Sequence, residues 1–271
     1  MRVTLLGTMG WMPSDRRETT CVAGRAGDSL FVFDAGTGLR RLRQPAQAAL
    51  LDGARDVHLF LTHYHLDHVC GLAYLPGVLP GRRLVIHAPA AELNGVDPEG
   101  AVAGLLRRPY NPRDWEDLTD LRLEPVVAGA NEIAGHTVRV RAQRHSDVSV
   151  AYRVDDAFVL ATDTMIDPQT AEFARGVGLL LHEAWYNAVD PRTAEMPPEL
   201  HAGYAAHSEA GAVAGLAADA GVGRLVPMHL NPLYDEIYYA ALEAAARAVF
   251  PRTDVLADGA VIDTDGDVWR P

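Results

Sequence analysis

Three histidines and an aspartate fall within six residues of each other, directly after an apolar segment. The segment Val57–Leu61 has the length and apolar character of a buried strand, and it leads into Thr62-His63-Tyr64-His65-Leu66-Asp67-His68. Imidazole and carboxylate groups are the ligands that zinc and related divalent ions prefer. A loop that leaves a strand can turn all four side chains inward, whereas a surface patch of histidines is the weaker interpretation. The motif therefore predicts a metal site at the end of a strand, which requires a fold in which strand ends meet at one edge of a sheet.

Three more residues of metal-binding type lie at or just beyond the ends of predicted strands. They are His145, Asp163 and His229. In an α/β protein, strand ends meet at one edge of a sheet and gather a binding site there. We therefore expect these three side chains to join the cluster.

Short apolar segments alternate with turn sequences through both halves of the chain. The predicted strands are Val3–Leu6, Leu30–Phe33, Val57–Leu61, Leu84–Ile86, His136–Ala142, Val148–Val154, Phe158–Thr162, Gly178–Leu181, Arg224–Met228 and Val255–Ile262. The predicted helices are Gln44–Leu51, Ser208–Asp219 with Ser208 as its N-cap, and Tyr234–Val249. Segment Ala90–Asp120 has three prolines and little periodicity, which indicates a helix fragment and a long loop that could act as a lid. No change in composition marks a linker, so we expect residues 1–271 to form a single α/β domain, with two packed sheets and helices outside.

Composition and charge exclude several classes of function. Hydrophobic residues make up 48% and charged residues 22%, as in an ordinary globular protein. The net charge of −12 argues against a broad nucleic-acid-binding surface. Every basic residue is arginine, and the lack of lysine excludes a Schiff base or a P-loop lysine. Two cysteines imply no disulfide framework, and the sequence has neither a signal-like segment nor a membrane-spanning run. We therefore expect a cytoplasmic protein that does not bind membranes.

The ordered set of ligand candidates resembles that of the metallo-β-lactamase superfamily over nearly the whole chain. This resemblance implies a four-layered αβ/βα sandwich that holds two divalent metal ions, zinc in the first instance with manganese or iron as alternatives. It also implies which side chains bind each ion: His63, His65 and His145 one ion, Asp67, His68 and His229 the other, with Asp163 bridging. His65 stands where oxygen-reducing diiron members have a glutamate, which favours hydrolysis over electron transfer.

Further motifs resemble the ribonuclease Z-like phosphodiesterase branch of that superfamily. They are Leu6-Gly7-Thr8, Phe33-Asp34-Ala35-Gly36-Thr37-Gly38, His182-Glu183-Ala184, Ala206-His207-Ser208 and Met228-His229-Leu230-Asn231-Pro232. By this resemblance His207 donates a proton to the leaving group and Glu183 orients it, because a carboxylate raises the pKa of a nearby imidazole and fixes its tautomer. Asp67 would orient or deprotonate the nucleophile, a hydroxide that the two ions hold. The alternative for His207 is a residue that only begins a helix.

The expected substrate is a small anion, and a small or cyclic phosphodiester is favoured over tRNA. Members that process tRNA commonly carry a protruding arm, but only 17 residues separate His145 from Asp163. The loop from Asn187 to Leu200 is acidic and rich in proline, which suits an RNA clamp poorly. Candidate contacts to the anion are Arg40, Arg41 and Arg43, or Arg107 and Arg108.

Two other functions are alternatives to this hypothesis. A lactonase or other ester hydrolase would use a tyrosine such as Tyr186 or Tyr204 to polarise a carbonyl group. A non-catalytic metal-binding sensor ranks last, because all seven ligand candidates are present. His201 lies in a loop that could fold over the site, while His58, His87 and His136 are interpreted as structural. Related members often dimerise, which makes a homodimer one possible assembly, although no segment identifies an interface.

Overall fold

Two β-sheets pack face to face, and short helices cover their outer faces. The computed structural model describes residues 1–112, 114, 117, 120–265 and 267–269, and of residues 198 and 201–203 the backbone alone. The strands are β1 Arg2–Gly7, β2 Cys21–Ala26, β3 Ser29–Phe33, β4 Asp56–Phe60, β5 Arg83–Pro89, β6 Leu121–Val126, β7 Gly129–Ile133, β8 His136–Gln143, β9 Ser149–Val154, β10 Phe158–Ala161, β11 Leu179–Glu183, β12 Arg224–Met228, β13 Val261–Asp263 and β14 Val268–Trp269.

Each sheet combines antiparallel and parallel pairs. The first has the order β14-β13-β1-β2-β3-β4-β5-β6 and the second the order β12-β11-β10-β9-β8-β7. Strands β3 to β6 are parallel neighbours in the first sheet, and β10 to β12 are parallel neighbours in the second. Parallel strands bring their carboxyl ends to the same edge, so each sheet gathers several strand ends at one side of the molecule.

The helices lie on both outer faces. They are α1 Ala48–Leu51, α2 Leu66–Val69, α3 Leu75–Val78, α4 Ala91–Asn94, α5 Pro98–Leu105, α6 Pro168–Phe173, α7 Pro191–Ala194, α8 Ala210–Ala220 and α9 Glu236–Val249, with 3₁₀ segments at Thr37–Arg43, Pro45–Gln47, Cys70–Tyr74 and Pro198–Ala206.

Successive side chains of each strand point to opposite faces of the sheet, so the apolar side chains form three core layers. In β3, Phe31 and Phe33 pack between the sheets, whereas Leu30 and Val32 pack under the 3₁₀ segments and helices of the first sheet. The second sheet packs its outer face against α8 and α9. This period of two is what a strand buried on both faces requires. The predicted four-layered αβ/βα sandwich is therefore confirmed.

Most predicted strands and the two long helices α8 and α9 agree with the structure, whereas the short helices α2, α3, α6 and α7 were not predicted. Strands β2, β6, β7 and β14 were missed, and Gln44–Leu51 is a 3₁₀ turn followed by a single α-helical turn. The predicted strand Val255–Ile262 is wrong, because only Val261–Asp263 pairs in the sheet and a turn at Asp258 precedes it.

The predicted N-cap of α8 is also wrong. The hydroxyl of Ser208 donates instead to the carbonyl oxygen of Thr164, at 2.6 Å. The carboxylate of Glu209 accepts from the amide of Ala212 at 2.7 Å and caps the helix. A tertiary partner for the serine hydroxyl therefore moved the helix start by one residue.

Candidate metal centre

The predicted ligands lie at the ends of strands from both sheets. His63, His65, Asp67 and His68 follow β4, in the loop and the single turn of α2. His145 follows β8, Asp163 follows β10 and His229 follows β12. Because the two sheets pack face to face, these ends meet at one edge of the sandwich.

One group contains three histidines and an aspartate. The ligand atoms of His63, His65, His145 and Asp163 lie within 4.8 Å of one another. Asp163 Oδ1 lies 3.7 Å from His63 Nε2 and 3.4 Å from His145 Nε2. Three nitrogens and one carboxylate oxygen at this separation suit a tetrahedral divalent ion.

A second group lies against the first and shares its aspartate. The ligand atoms of Asp67, His68 and His229 also lie within 4.8 Å of one another. Asp163 Oδ2 is 3.1 Å from His68 Nε2, and Asp163 Oδ1 is 3.2 Å from His229 Nε2. The structure thus brings all seven predicted residues together, and Asp163 contacts both groups. Their assignment as metal ligands stays a prediction.

Buried imidazole nitrogens test whether the residues fit a metal. His63 Nε2 and His68 Nε2 are buried and make no hydrogen bond. The opposite nitrogens of both rings are held: His63 Nδ1 lies 3.0 Å from the Thr62 hydroxyl, and His68 Nδ1 lies 2.8 Å from Asp34 Oδ2. His63 thus has one nitrogen fixed and the other buried without a hydrogen bond, which is the usual arrangement of a metal-binding histidine, while His68 Nε2 faces the Asp163 carboxylate at 3.1 Å. The residues therefore fit divalent ions.

The protonation of the first group agrees with this fit. Burial and the neighbouring His68 lower the pKa of His63 well below its ordinary value, and burial lowers the pKa of His145. Burial alone would raise the pKa of Asp163, but the imidazoles of His229 and His68 hold it well below its usual range. Neutral His63 and His145 and an ionised Asp163 are the forms that bind a metal ion. His68 in the second group differs, because burial would lower its pKa but the carboxylates of Asp163, Asp67 and Asp34 raise it, so its imidazole has to lose a proton before it binds a metal ion.

Glu183 and His207 form a hydrogen-bonded pair beside the second group. Glu183 is fully buried at the end of β11, and its two oxygens accept from His207 Nδ1 at 2.8 Å and from the amide of Ser208 at 2.7 Å. An ionised carboxylate only accepts, so Nδ1 of His207 carries the proton in this bond. Burial would lower the pKa of His207, but the charge and hydrogen bond of Glu183 raise it instead.

A cleft of about 380 Å³ opens over both groups. His207 lines it, and the indole of Trp185 stacks on that imidazole with ring centroids 4.2 Å apart. Trp11 lies on another part of the wall, and its backbone N–H donates to Asp67 Oδ2 at 2.7 Å. Trp11, Asp163 and His229 all have positive φ angles, of 58°, 52° and 50°. Backbone strain of this kind concentrates at functional sites.

Several contacts that were missed link residues far apart in the sequence. Trp11, Trp185 and Asp34 were not predicted to act in the site, although Asp34 lies in one of the quoted motifs. Asp147 is a further case, because its carboxylate lies 2.9 Å from His65 Nε2. The sequence could have indicated two of these residues by their distance from the quoted motifs. Trp11 follows Leu6-Gly7-Thr8 closely, and Trp185 follows Glu183 by two residues.

The predicted arginine contacts are not found in the cleft. Arg40 pairs with Glu18, and Arg41 lies 3.3 Å from Asp258, so both guanidinium groups are paired with carboxylates outside the cleft. Arg43, Arg107 and Arg108 are likewise not among the described residues that line the cleft.

Other candidates for the cleft wall are also placed elsewhere. Tyr186 and Tyr204 stack on each other with centroids 4.7 Å apart, outside the lining that the structure describes. The described part of Ala90–Asp120 lines no part of the cleft and so gives no support for a lid, while Met196, Glu199 and Leu200 do line it. The side chain of His201 lies outside the described residues. His58 and His87 bond to each other and His136 to Asp155, in line with structural roles.

The fold and this site define the class of protein. Residues 30–230 match the family described as "Beta-lactamase superfamily domain". The metallo-beta-lactamase fold protein YhfI from Bacillus subtilis superposes with a TM-score of 0.72 over 99% of both chains, at 20% identity. No helix in the described ranges is long and apolar enough to cross a membrane.

Curated relatives narrow this class. Ribonuclease Z of Mycobacterium sp. (strain KMS) is 31% identical over 277 residues, covering 95% of this chain and 94% of the relative. Ribonuclease Z of Synechococcus sp. (strain WH7803) is 28% identical over 330 residues, covering 97% and 96%. The chain therefore belongs to the metallo-β-lactamase superfamily and to its ribonuclease Z-like branch, as a metal-dependent hydrolase.

Proposed function

We propose that this protein hydrolyses small or cyclic phosphodiesters with two divalent metal ions, zinc in the first instance. The observation that carries the proposal is the position of Asp163, whose carboxylate contacts both groups of ligand candidates while the His207–Glu183 pair lines the same cleft. The ribonuclease Z relatives support phosphodiester chemistry.

Each of the two groups would bind one metal ion. His63, His65 and His145 would hold one ion and Asp67, His68 and His229 the other, with Asp163 between them. A bound pair of divalent ions supplies an activated water and neutralises negative charge on the phosphate. Asp67 Oδ2 accepts from the Trp11 backbone, which fixes the carboxylate so that it can orient the water or take its proton.

The reaction needs a proton for the leaving group, and in this proposal His207 supplies it. Hydrolysis consumes one water, breaks one P–O bond and yields a phosphomonoester and an alcohol group, which remain in one molecule when the substrate is cyclic. Because Glu183 occupies Nδ1 of His207, Nε2 is the nitrogen that can protonate the departing oxygen. Stacking on Trp185 holds the ring in that orientation.

Size and charge favour a small substrate over tRNA. The cleft of about 380 Å³ is in the range of small-molecule sites, which are roughly 300–1,000 Å³. The net charge of −12 also disfavours a long polyanion.

The test measures metal content and turnover in the wild type and in His207→Ala. Two substrates are compared, bis-p-nitrophenyl phosphate and adenosine 2′,3′-cyclic phosphate. An alkoxide leaving group needs a proton more than nitrophenolate does. His207→Ala should therefore lower kcat for the cyclic ester by roughly 100-fold or more and for the nitrophenyl ester by less. Two metal ions per chain are expected in both proteins.

His136→Ala is the matched control, because this histidine also bonds a carboxylate but lies outside the cleft. It should leave both rates unchanged. Two bound metal ions with no turnover of either phosphodiester would contradict the proposed function. Equal loss on both substrates in His207→Ala would contradict the role of His207 as the acid.

A further inference from the structure

The wall of the cleft is poor in positive charge. None of the described residues that line it is an arginine, and Glu199 adds a carboxylate to the wall beyond those of Asp67 and Asp163. A phosphate bound at the metal ions would meet their charge, but a second phosphate on the same substrate would meet Glu199 without a guanidinium partner. The wall therefore favours a substrate with a single negative charge.

The rest of the wall is largely apolar. Trp11, Met196, Leu200 and Leu233 contribute to it, and Trp11 and Leu233 are exposed at 54% and 39%. Exposed apolar groups that line a cleft together mark a binding surface more often than isolated ones do.

The loop that carries Trp11 is tied closely to the metal centre. The amide of Gly10 donates to the carbonyl oxygen of Leu230 at 3.0 Å, next to His229. A Cβ at Gly10 would lie 2.4 Å from the His229 ring, so only glycine allows this approach. With the Trp11 amide bonded to Asp67, the backbone is fixed on both sides of the centre while the indole stays half exposed.

We propose that Trp11 is a specificity-determining residue, whose indole stacks on a flat aromatic group of a singly charged phosphodiester, such as a nucleobase. This inference rests on the proposed function and deepens it. Stacking of a base on an aromatic side chain corresponds to roughly a tenfold gain in affinity or more, for any base, because every base has a π face. An apolar, weakly charged wall suits such a ligand better than an extended polyanion.

The test measures binding rather than turnover, so that its outcome does not depend on the reaction. Zinc-loaded His207→Ala protein is titrated by calorimetry with adenosine 2′,3′-cyclic phosphate and with glycerol 1,2-cyclic phosphate, which has the same reactive group without a base. The nucleotide should bind at least tenfold more tightly. Adding Trp11→Ala should remove most of that difference, and Trp11→Phe should retain most of it.

Two features make the comparison specific. The backbone N–H of residue 11 is present in every variant, so its bond to Asp67 and the zinc content should not change. Trp269→Ala is the matched control, since Trp269 is exposed at 44% and contacts Arg2 rather than the cleft. It should leave both affinities unchanged.

A second variant tests the charge of the wall. Glu199→Gln should improve the binding of a nucleotide with an additional 5′-phosphate several-fold and leave the singly charged nucleotide unaffected. Equal affinity for the two cyclic phosphates, or an equal loss on both in Trp11→Ala, would overturn the inference. Tight, Trp11-dependent binding of the nucleotide without turnover in the wild type would uphold it while the proposed function fails.

Discussion

A single buried carboxylate orients imidazoles in both groups of ligand candidates. Asp34 Oδ2 lies 2.8 Å from His68 Nδ1, and Asp34 also accepts from the amide and hydroxyl of Thr62. That hydroxyl lies 3.0 Å from His63 Nδ1, so the effect of Asp34 reaches the other group through one side chain. Asp34 has φ of 58°, an uncommon angle for a residue other than glycine. This backbone angle costs conformational free energy, and it places the carboxylate where it bonds His68 and Thr62.

Asp34→Asn should weaken zinc binding. An amide presents a donor to His68 or to Thr62 where the carboxylate only accepts, so at least one ring loses its support. Loss of such a partner typically lowers metal affinity roughly 10- to 100-fold. Competition with a chromogenic chelator measures this affinity directly.

Asp155→Asn provides the control, because Asp155 makes the same kind of bond to His136 at 2.7 Å outside the cleft. It should leave zinc affinity unchanged. Unchanged affinity in Asp34→Asn itself would show that the ring orientation is set by packing alone.

Residue chemistry explains which parts of the site could be predicted. His63, His65, Asp67 and His68 are adjacent in the sequence, and metal binding is the main reason to place such groups together. The support from Asp34 and the wall position of Trp11 depend on contacts between separate segments, which periodicity does not report. The arginine assignment was wrong for the same reason, since Glu18 and Asp258 are the partners that hold Arg40 and Arg41.

At the scale of elements, three of the four missed strands have mostly exposed or half-buried side chains, and the fourth is interrupted by a glycine. β6 and β7 have mostly exposed or half-buried side chains, so neither has the apolar run that marks a central strand. β2 is buried but contains Gly24, whose missing Cβ allows the Arg2 carbonyl of β1 to approach. Glycine lowers the strand signal in the sequence, although the packing requires it.

Glu209→Ala should destabilise the protein through the start of α8. The Glu209 carboxylate accepts hydrogen bonds from the amide of Ala212 and, at 3.3 Å, from the amide of Ala188. Loss of an N-terminal cap costs about 1 kcal/mol in free energy of unfolding. Urea denaturation measures the change, and Glu209→Gln, which keeps an acceptor oxygen, should recover most of it. A variant as stable as the wild type would assign the cap to another group.

At the scale of the whole molecule, the two ends of the chain meet in the first sheet. β1 pairs with β13, and the amino group of Met1 donates to the Thr264 hydroxyl at 2.9 Å. Asp258, in the turn before β13, accepts from the Thr8 hydroxyl and the Glu18 amide. These contacts are what a single domain over residues 1–271 would need. That boundary stays a prediction, as does the homodimer.

The Asp258 carboxyl should make stability depend on pH. Burial raises its pKa to about 6, whereas an unfolded aspartate titrates near ~3.9. The folded chain therefore binds this proton more tightly, so the contribution of Asp258 is complete below about pH 4 and declines as the pH rises to 6. A shift of about two pKa units corresponds to up to about 3 kcal/mol in free energy of unfolding.

The comparison is with Asp258→Asn, which keeps an acceptor for Thr8 but cannot ionise. Urea denaturation of both proteins from pH 4 to 7, in the same metal-free buffer, should show the wild type losing stability relative to the variant between pH 4 and 6. Parallel curves across that window would mean that Arg41, 3.3 Å away, keeps Asp258 ionised in the folded protein throughout.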